Sequence, residues 1–357
     1  MRVPALLAAA LLLTAPRVQV VTMGEGDALY ERFGHAALRV TDERSDLVYN
    51  FGTTDFNQPH LFREFLRGHV KFWVSVGSWQ ETIRFYSGED RSIWLQDLHL
   101  SEAQQQWLAD RLRWQALPQN RYYDYDHFWD NCTTRVRDLV DQASGGVVRA
   151  QLATPWPLSI RELSLTGFHG LLGMQIGTDV LLGPRVDKPI TRYDAAFLPR
   201  IMRPALQEVK MPDGAPLGSA PIAIYTRRAP AVTDGTPAHA GRYLLAGIAV
   251  ALLGLGLLLP RPVRIAFVIA SVLVGLGTGV LALYSTVSLL RPSPAVLLFW
   301  PTDFALLIPR VSRPYASMRL VAIALVAALV APPWEMLLLA TVGVALFWIR
   351  PRAAASA

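Results

Sequence analysis

The stretch Tyr122-Tyr123-Asp124-Tyr125-Asp126-His127-Phe128-Trp129-Asp130-Asn131-Cys132-Thr133-Thr134-Arg135-Val136-Arg137-Asp138-Leu139-Val140-Asp141-Gln142-Ala143 decides how the first half of this 357-residue chain reads. It holds the chain's single cysteine. Val136, Leu139, Val140 and Ala143 recur at the i, i+3, i+4, i+7 spacing of one buried face, so an amphipathic helix opens at Cys132 with Asp130 or Asn131 as N-cap. A thiol in the first turn sits at the positive end of the helix dipole, beside amides that lack an intrahelical acceptor, and both favour the thiolate. A lone cysteine is more often a small buried apolar residue. Cys132, however, is flanked by Asn131, Thr133 and Thr134 and lies off the apolar stripe, so it reads as a nucleophile.

A cysteine nucleophile needs a base, and the base needs a polar group that sets its tautomer and orientation. Upstream, residues 18–22 form a short strand, and the segment Phe33-Gly34-His35-Ala36-Ala37-Leu38-Arg39-Val40 is extended in its second half. A polar turn over 41–46 leads to a second strand over 47–52, which makes a hairpin. With a turn of about five residues, His35 faces the region of Asn50 to Gly52, and Asn50 comes within reach of the imidazole. Gly34, directly before the histidine, hints at close backbone approach. Cys132 as nucleophile, His35 as base and Asn50 as orienter are the candidate catalytic residues. His127, five residues before Cys132, is the rival base, and Tyr49, Asp55 and Asp126 are rivals for the third role. In papain-like enzymes the cysteine opens a helix packed on a sheet that carries the histidine and its polar partner; here the order His, Asn, Cys is a circular permutation of that arrangement.

Further elements follow the same signals. Residues 61–66 read as a short helix, 71–76 and 82–86 as strands, and 93–98 as another strand. Ser101-Glu102-Ala103-Gln104 is a capping box that starts a helix to about Leu117, which Pro118 stops. Ser144-Gly145-Gly146 terminates the Cys132 helix. Residues 159–165 and 193–209 read as helices, 170–182 as an apolar, glycine-rich flap or core segment, 211–220 as a loop and 229–241 as a linker.

Composition divides the chain. It is 52% hydrophobic and 17% charged, with a formal net charge of +6. Residues 2–15 have a positive start and a short apolar run ending in small residues, the pattern of a secretory signal or short anchor. From Leu244 the chain is membrane-like, with apolar segments at 244–260, 265–290, 294–309, 318–331 and 334–349. Starting from a globular domain outside, five spans place Arg261, Arg264, Arg310, Arg313, Arg319, Arg350 and Arg352 inside and Arg291 alone outside, as the positive-inside tendency favours. The third segment is interrupted by Pro301 and Asp303, and an ionisable group at that depth is a functional candidate. There is no basic run with interleaved aromatics, so no nucleic-acid partner is implied. No paired Cys/His spacing suggests a metal, no Gly-rich loop suggests a phosphate, and no cofactor is called for.

Three motifs then carry a resemblance: Phe33 to Val40, Val48-Tyr49-Asn50-Phe51-Gly52-Thr53 with Asp55-Phe56, and Asp130-Asn131-Cys132-Thr133-Thr134-Arg135. Together they resemble the Lnb-type lipoprotein N-acyltransferase family. Gly183, Asp187-Lys188-Pro189-Ile190-Thr191 and Phe197-Leu198-Pro199 look like a second block of the same family. The Gly-His and Asn-Cys pairs are also similar to the lecithin:retinol acyltransferase group, a permuted NlpC/papain-like set. Where the family would have His-Pro and later Asn in an outer loop, this chain has Arg291-Pro292 and Trp300-Pro301-Thr302-Asp303.

The resemblance implies an α+β fold: a circularly permuted papain/NlpC-like periplasmic domain followed by an α-helical transmembrane bundle. The expected boundaries are a signal or anchor over 1–16, the cysteine domain over 17–230, a linker over 231–243, about five spans over 244–349 and a cytoplasmic tail over 350–357. The implied activity moves an acyl chain from a phospholipid or lipoprotein donor, through a Cys132 thioester, to the terminal amine of a lipid-modified lipoprotein, at the periplasmic side of a bacterial inner membrane. Tyr125, Asp126, His127, Trp129, Asn131 and Asp303 are the candidate substrate contacts. The other readings are a membrane-anchored cysteine amidase or peptidase acting on cell-wall peptides, and a non-enzymatic envelope protein with a structural cysteine.

Overall fold

The computed structural model describes residues 15–348 apart from 56–58, 61–62, 65–66, 68–69 and 288–292. The expected signal segment, most of the helix at 61–66, Arg291 and the tail over 350–357 lie outside the described residues. The chain forms two compact units: residues 1–54, 71–154 and 192–230 make the first, and residues 55–70, 155–191 and 231–357 the second. The fold class is α+β.

The first unit is built on a seven-stranded antiparallel sheet in the order β6-β4-β3-β2-β1-β5-β7. Its strands are β1 Arg17–Met23, β2 His35–Thr41, β3 Asp46–Thr53, β4 Lys71–Ser78, β5 Ile93–Asp97, β6 Tyr122–Asp124 and β7 Ile222–Tyr225. Alternation and β-branched content explain the central strands: Val18, Val20, Val21, Ala36, Leu38, Val48 and Phe51 are buried in the core. The β2–β3 hairpin forms as read, with Ala37 opposite Asn50 and Thr41 opposite Asp46. Three helices matter for the site. These are α1 Trp79–Gly88, α2 Glu102–Gln115 and α3 Cys132–Ala143. On α3 the expected stripe is the buried one: Val136, Leu139, Val140 and Ala143 all turn inward, and the helix packs on β2 and β3.

Residues 82–86, expected as a strand, belong to α1. The Ser78 side chain accepts from the Glu81 amide at 3.2 Å, and the Glu81 carboxylate accepts from the Ser78 amide and hydroxyl at 3.0 and 2.8 Å. That capping box starts a helix one turn before the alternating segment and overrides its period of two. Trp79 and Thr82 are then buried, with Ile83 and Tyr86 packed against the same core. The single helix expected over 193–209 is instead two, Arg192–Ala195 and Pro199–Glu208, because Pro199 takes the N1 position of the second. The edge strand β7 falls just past the expected loop; Ile222 and Ile224 are exposed, and Tyr225 packs against the core.

In the second unit, three helices are long and apolar enough to cross a membrane: Ala240–Leu258, Pro260–Tyr284 and Ser312–Val330. Leu258, Leu273, Leu283, Val321 and Leu329 project outward from them, as lipid-facing side chains do. Trp334–Ala345 is a shorter apolar helix. The expected span at 294–309 is not one helix. It is a short helix, Pro294–Leu298, and a 3-10 segment, Pro301–Leu307, broken at Phe299 and Trp300. Pro301 cannot donate into a preceding turn, and the Asp303 carboxylate accepts from the Trp300 amide at 3.2 Å instead. Residues 172–181 form a helix whose Gln175 accepts from the Gly241 amide at 2.9 Å, so the glycine-rich segment packs against the first long helix.

Asp303 is completely buried, as is its partner Arg319, whose Nε and Nη2 donate to the carboxylate at 2.7 and 3.2 Å. Ser271 and Tyr315 donate to it as well. The residue expected to contact substrate thus has its oxygens occupied by protein donors, and its visible role is to join three segments of the bundle. Arg319→Met leaves that carboxylate buried without its cation. The expected cost is about 3–5 kcal/mol, read as a lower melting temperature in detergent, and the double change with Asp303→Asn recovers more than half of it.

Candidate active site

His35 is the first residue of β2, opposite Met23 of β1. The turn into it demands glycine: Gly34 has φ +74°, and a Cβ there would stand 2.8 Å from the Met23 carbonyl oxygen. Asn50 on β3 faces Ala37, which puts it diagonally across from His35 on the same side of the hairpin. The imidazole Nε2 and Asn50 Oδ1 are 3.3 Å apart. With Nε2–H donating to that amide oxygen, Nδ1 is the nitrogen left for the thiol.

Cys132 is half-buried at the start of α3. Asn131 is the N-cap: its Oδ1 accepts from the Thr134 amide at 2.8 Å, and the Thr134 hydroxyl accepts from the Asn131 amide at 2.8 Å. The Asn131 Nδ2 group donates to the carbonyls of His127 and Phe197 at 2.8 and 3.2 Å. Expected among the substrate contacts, Asn131 is spent on holding the helix start and the loop before it. Gly52 beside Cys132 has φ +78°, which favours glycine, and a Cβ there would be in van der Waals contact with Cys132 Cβ at 3.4 Å. Burial pushes the Cys132 thiol up, but the charge and hydrogen bonding of His35, with the Ala36 amide and the Thr133 hydroxyl, outweigh it and bring the thiol down from 9.0 to about 7.

The loop before Cys132 is an aromatic cluster. The His127 ring makes edge contacts with Phe33 and Phe128 at centroid distances of 4.7 and 4.9 Å, and Tyr125 stacks on Phe72 at 4.2 Å. Burial lowers His127 from 6.5 to about 4, against a smaller opposing pull from Asp126, so it is neutral at pH 7. The rival base is therefore packed among rings, while His35 is the histidine whose charge and hydrogen bonding lower the thiol. The Asp126 carboxylate accepts from the Phe128 and Trp129 amides at 3.0 and 3.1 Å and shapes the loop. Trp129 meets Phe128 edge-on at 5.8 Å. Asp130 receives two bonds of 2.7 Å from Arg135.

Two tyrosines near the thiol escape a linear reading. Tyr86 of α1 stacks on His35, with centroids 6.0 Å apart and planes at 19°, and the Arg91 guanidinium carbon lies 4.9 Å from the Tyr86 ring centroid. The Ser78 capping box is the signal that would have placed it. Tyr123 of β6 has its hydroxyl 3.8 Å from the same point over Gly52. Burial, and then the neighbouring Cys132 charge, raise Tyr86, Tyr123 and Tyr125, so all three phenols stay protonated. Among the described residues, no group of three or more His, Cys, Asp or Glu is placed to hold a metal ion.

A thiol lowered to about 7 is half ionised near neutrality. The rate of Cys132 alkylation by iodoacetamide should therefore rise with a midpoint near pH 7. In His35→Ala the pull that lowers the thiol is gone and burial remains, so the midpoint should move above 9, as a pH series read by intact mass would show.

Residues 9–165 match the family model of the Lnb N-terminal periplasmic domain. That span contains β1 to β6, α1 to α3, and Cys132, His35 and Asn50. No curated protein and no solved structure matches the chain. The first part of this chain is therefore similar to the Lnb N-terminal periplasmic domain, a match consistent with the Lnb-type lipoprotein N-acyltransferase family.

Proposed function

We propose that the protein is a lipoprotein N-acyltransferase that works through a thioester on Cys132. The observation that carries this reading is the convergence of a thiol lowered to about 7, the histidine that lowers it and an asparagine 3.3 Å from that histidine. A domain of the Lnb type and three membrane-length helices in the same chain favour a lipid ester over a soluble donor.

The Cys132 thiolate adds to the carbonyl carbon of a lipid ester, and the carbonyl π pair moves to oxygen. When the tetrahedral intermediate collapses, the C–O bond breaks and the departing alkoxide takes its proton from the His35 imidazolium. Asn50 holds the ring so that Nδ1 faces the sulfur in both steps. The α-amine of a lipid-modified cysteine then attacks the thioester, His35 takes the amine proton, and the thiolate leaves as the amide forms. The amides of Cys132 and Thr133, which α-helix geometry leaves without intrahelical acceptors, are donors for the oxyanion. The aromatic cluster of Phe33, Tyr125, His127, Phe128 and Phe197 offers an apolar wall suited to an acyl chain. This reading puts the catalytic unit on the periplasmic side of a bacterial inner membrane, with the long helices as its multi-pass anchor. Donor and acceptor are both lipidated.

The test is purified protein in mixed micelles of phospholipid and a diacylglyceryl-cysteine peptide, with the peptide products read by mass. Wild type should yield N-acyl peptide, Cys132→Ala none, and His35→Ala about 10²–10⁴-fold less. Full activity of Cys132→Ala would defeat the proposal. Free fatty acid or cleaved cell-wall peptide with no N-acyl product would point to a hydrolase or peptidase.

A further inference from the structure

Tyr123 is the middle residue of β6, between the exposed Tyr122 and Asp124, and it pairs with Phe72 of β4. Its hydroxyl oxygen is buried and has no hydrogen-bond partner. The Gly52 amide faces that oxygen outside hydrogen-bonding geometry and, being a donor, can engage a lone pair but not the hydroxyl proton. That proton therefore has no acceptor, a cost that folded proteins rarely carry without a reason. The hydroxyl lies 3.8 Å from the point over Gly52 that is itself 3.4 Å from Cys132 Cβ, so the unspent donor is beside the nucleophile.

The ring is also held from behind. The Arg135 guanidinium carbon lies 3.6 Å from the Tyr123 centroid, and Arg135 is fixed by its two 2.7 Å bonds to Asp130. A cation over the face of a phenol draws charge from the ring and strengthens its O–H as a donor. Burial keeps the phenol protonated at any working pH. Asp130 and Arg135, two members of the motif around Cys132, thereby acquire a shared purpose that neither the nucleophile nor its base gives them.

We propose that the Tyr123 hydroxyl donates a hydrogen bond to the oxyanion formed when Cys132 attacks an acyl carbonyl, and that Arg135 and Asp130 are positioning residues for that donor. The inference rests on the acyl-transfer reading of Cys132. The sulfur pair forms the new C–S bond, the carbonyl pair moves onto oxygen, and the Tyr123 proton stays on its own oxygen throughout. A preorganised donor that finds its acceptor only in the transition state lowers the barrier without tightening the ground state. Tyr123 is thus a catalytic residue by contact with the reacting oxygen.

The test compares two reactions of the same thiol in the full-length protein in detergent. Acylation by a short-chain p-nitrophenyl ester passes through an oxyanion, whereas alkylation by iodoacetamide does not. Tyr123→Phe should slow Cys132 acylation by about 100-fold, the order expected for one lost oxyanion donor. The rate of alkylation and its pH midpoint should stay within about twofold of wild type, a margin far inside that 100-fold effect. Arg135→Gln should slow acylation less, and should add nothing in the Tyr123→Phe background.

Equal slowing of acylation and alkylation, or a shifted pH midpoint, would assign Tyr123 a structural role and overturn the proposal. Loss of folding in Tyr123→Phe would also overturn it, because an unpartnered hydroxyl gives the fold nothing to lose. Unchanged acylation in Tyr123→Phe, with wild-type Cys132 acylated, overturns the inference and leaves the acyl-transfer reading standing. No acylation of wild-type Cys132 by either the activated ester or phospholipid overturns both.

Discussion

The pairing of a half-buried thiol with the imidazole of His35 is the interaction on which the site depends. Burial alone would keep Cys132 protonated and inert, since a desolvated thiolate is disfavoured. The nearby His35, the Ala36 amide and the Thr133 hydroxyl reverse that balance. Backbone geometry and one capping side chain place these contributors. Gly34 allows the sharp entry to β2, Gly52 takes up the positive φ of β3 beside Cys132, and Asn131 ties the helix start to the carbonyls of His127 and Phe197. The sheet and α3 therefore bring together Cys132, His35 and Asn50, the nucleophile, base and orienter of the proposed mechanism, as a preorganised site requires.

The second unit answers a different constraint. Its long helices expose leucines and valines outward, while Arg161, Asp179, Asp303, Arg319 and Glu335 are buried inside it. Arg161, almost fully buried, donates to the Asp187 carboxylate at 2.7 and 2.9 Å and to the carbonyl of Leu182 at 2.9 Å. Arg242 reaches both Asp179 and Glu335, at 3.3 and 3.5 Å. Arg319 and Asp303 form the third such centre. A charge that is costly to bury alone becomes a means of fixing which helix meets which, because any other packing would strand it. These buried polar residues thus join segments of the unit, while the chemistry proposed here is carried by the first.

How much of this was legible depended on how local each cue was. The Cys132 helix, its cap and the hairpin joining His35 to Asn50 follow from periodicity, turn length and capping within about twenty residues of chain, and the structure reproduces them. Tyr86 and Tyr123 approach the thiol through tertiary packing; the Ser78 box marks the helix that carries Tyr86, and no spacing in the chain marks Tyr123. The strand expected over 82–86 failed because Thr82, Arg84 and Tyr86 alternate while the deciding cue, the Ser78–Glu81 box, lies just upstream. Strand β7 pairs with β5 across more than a hundred residues, beyond the reach of any local pattern. Asp303 was recognisable as a costly charge in an apolar run, but its partner Arg319 read as a topology signal. A buried arginine and a cytoplasmic one look the same in a hydropathy profile.

The most direct measurement of the central claim is the intact mass of the protein after incubation with phospholipid and no acceptor, followed by peptide mapping. A chemically competent Cys132 thiolate predicts a mass increase of one acyl chain, located on the peptide that carries Cys132, removed by neutral hydroxylamine and absent from Cys132→Ala. An acyl adduct elsewhere, an adduct that resists hydroxylamine, or turnover to N-acyl product with no Cys132 adduct formed under single-turnover conditions would contradict it.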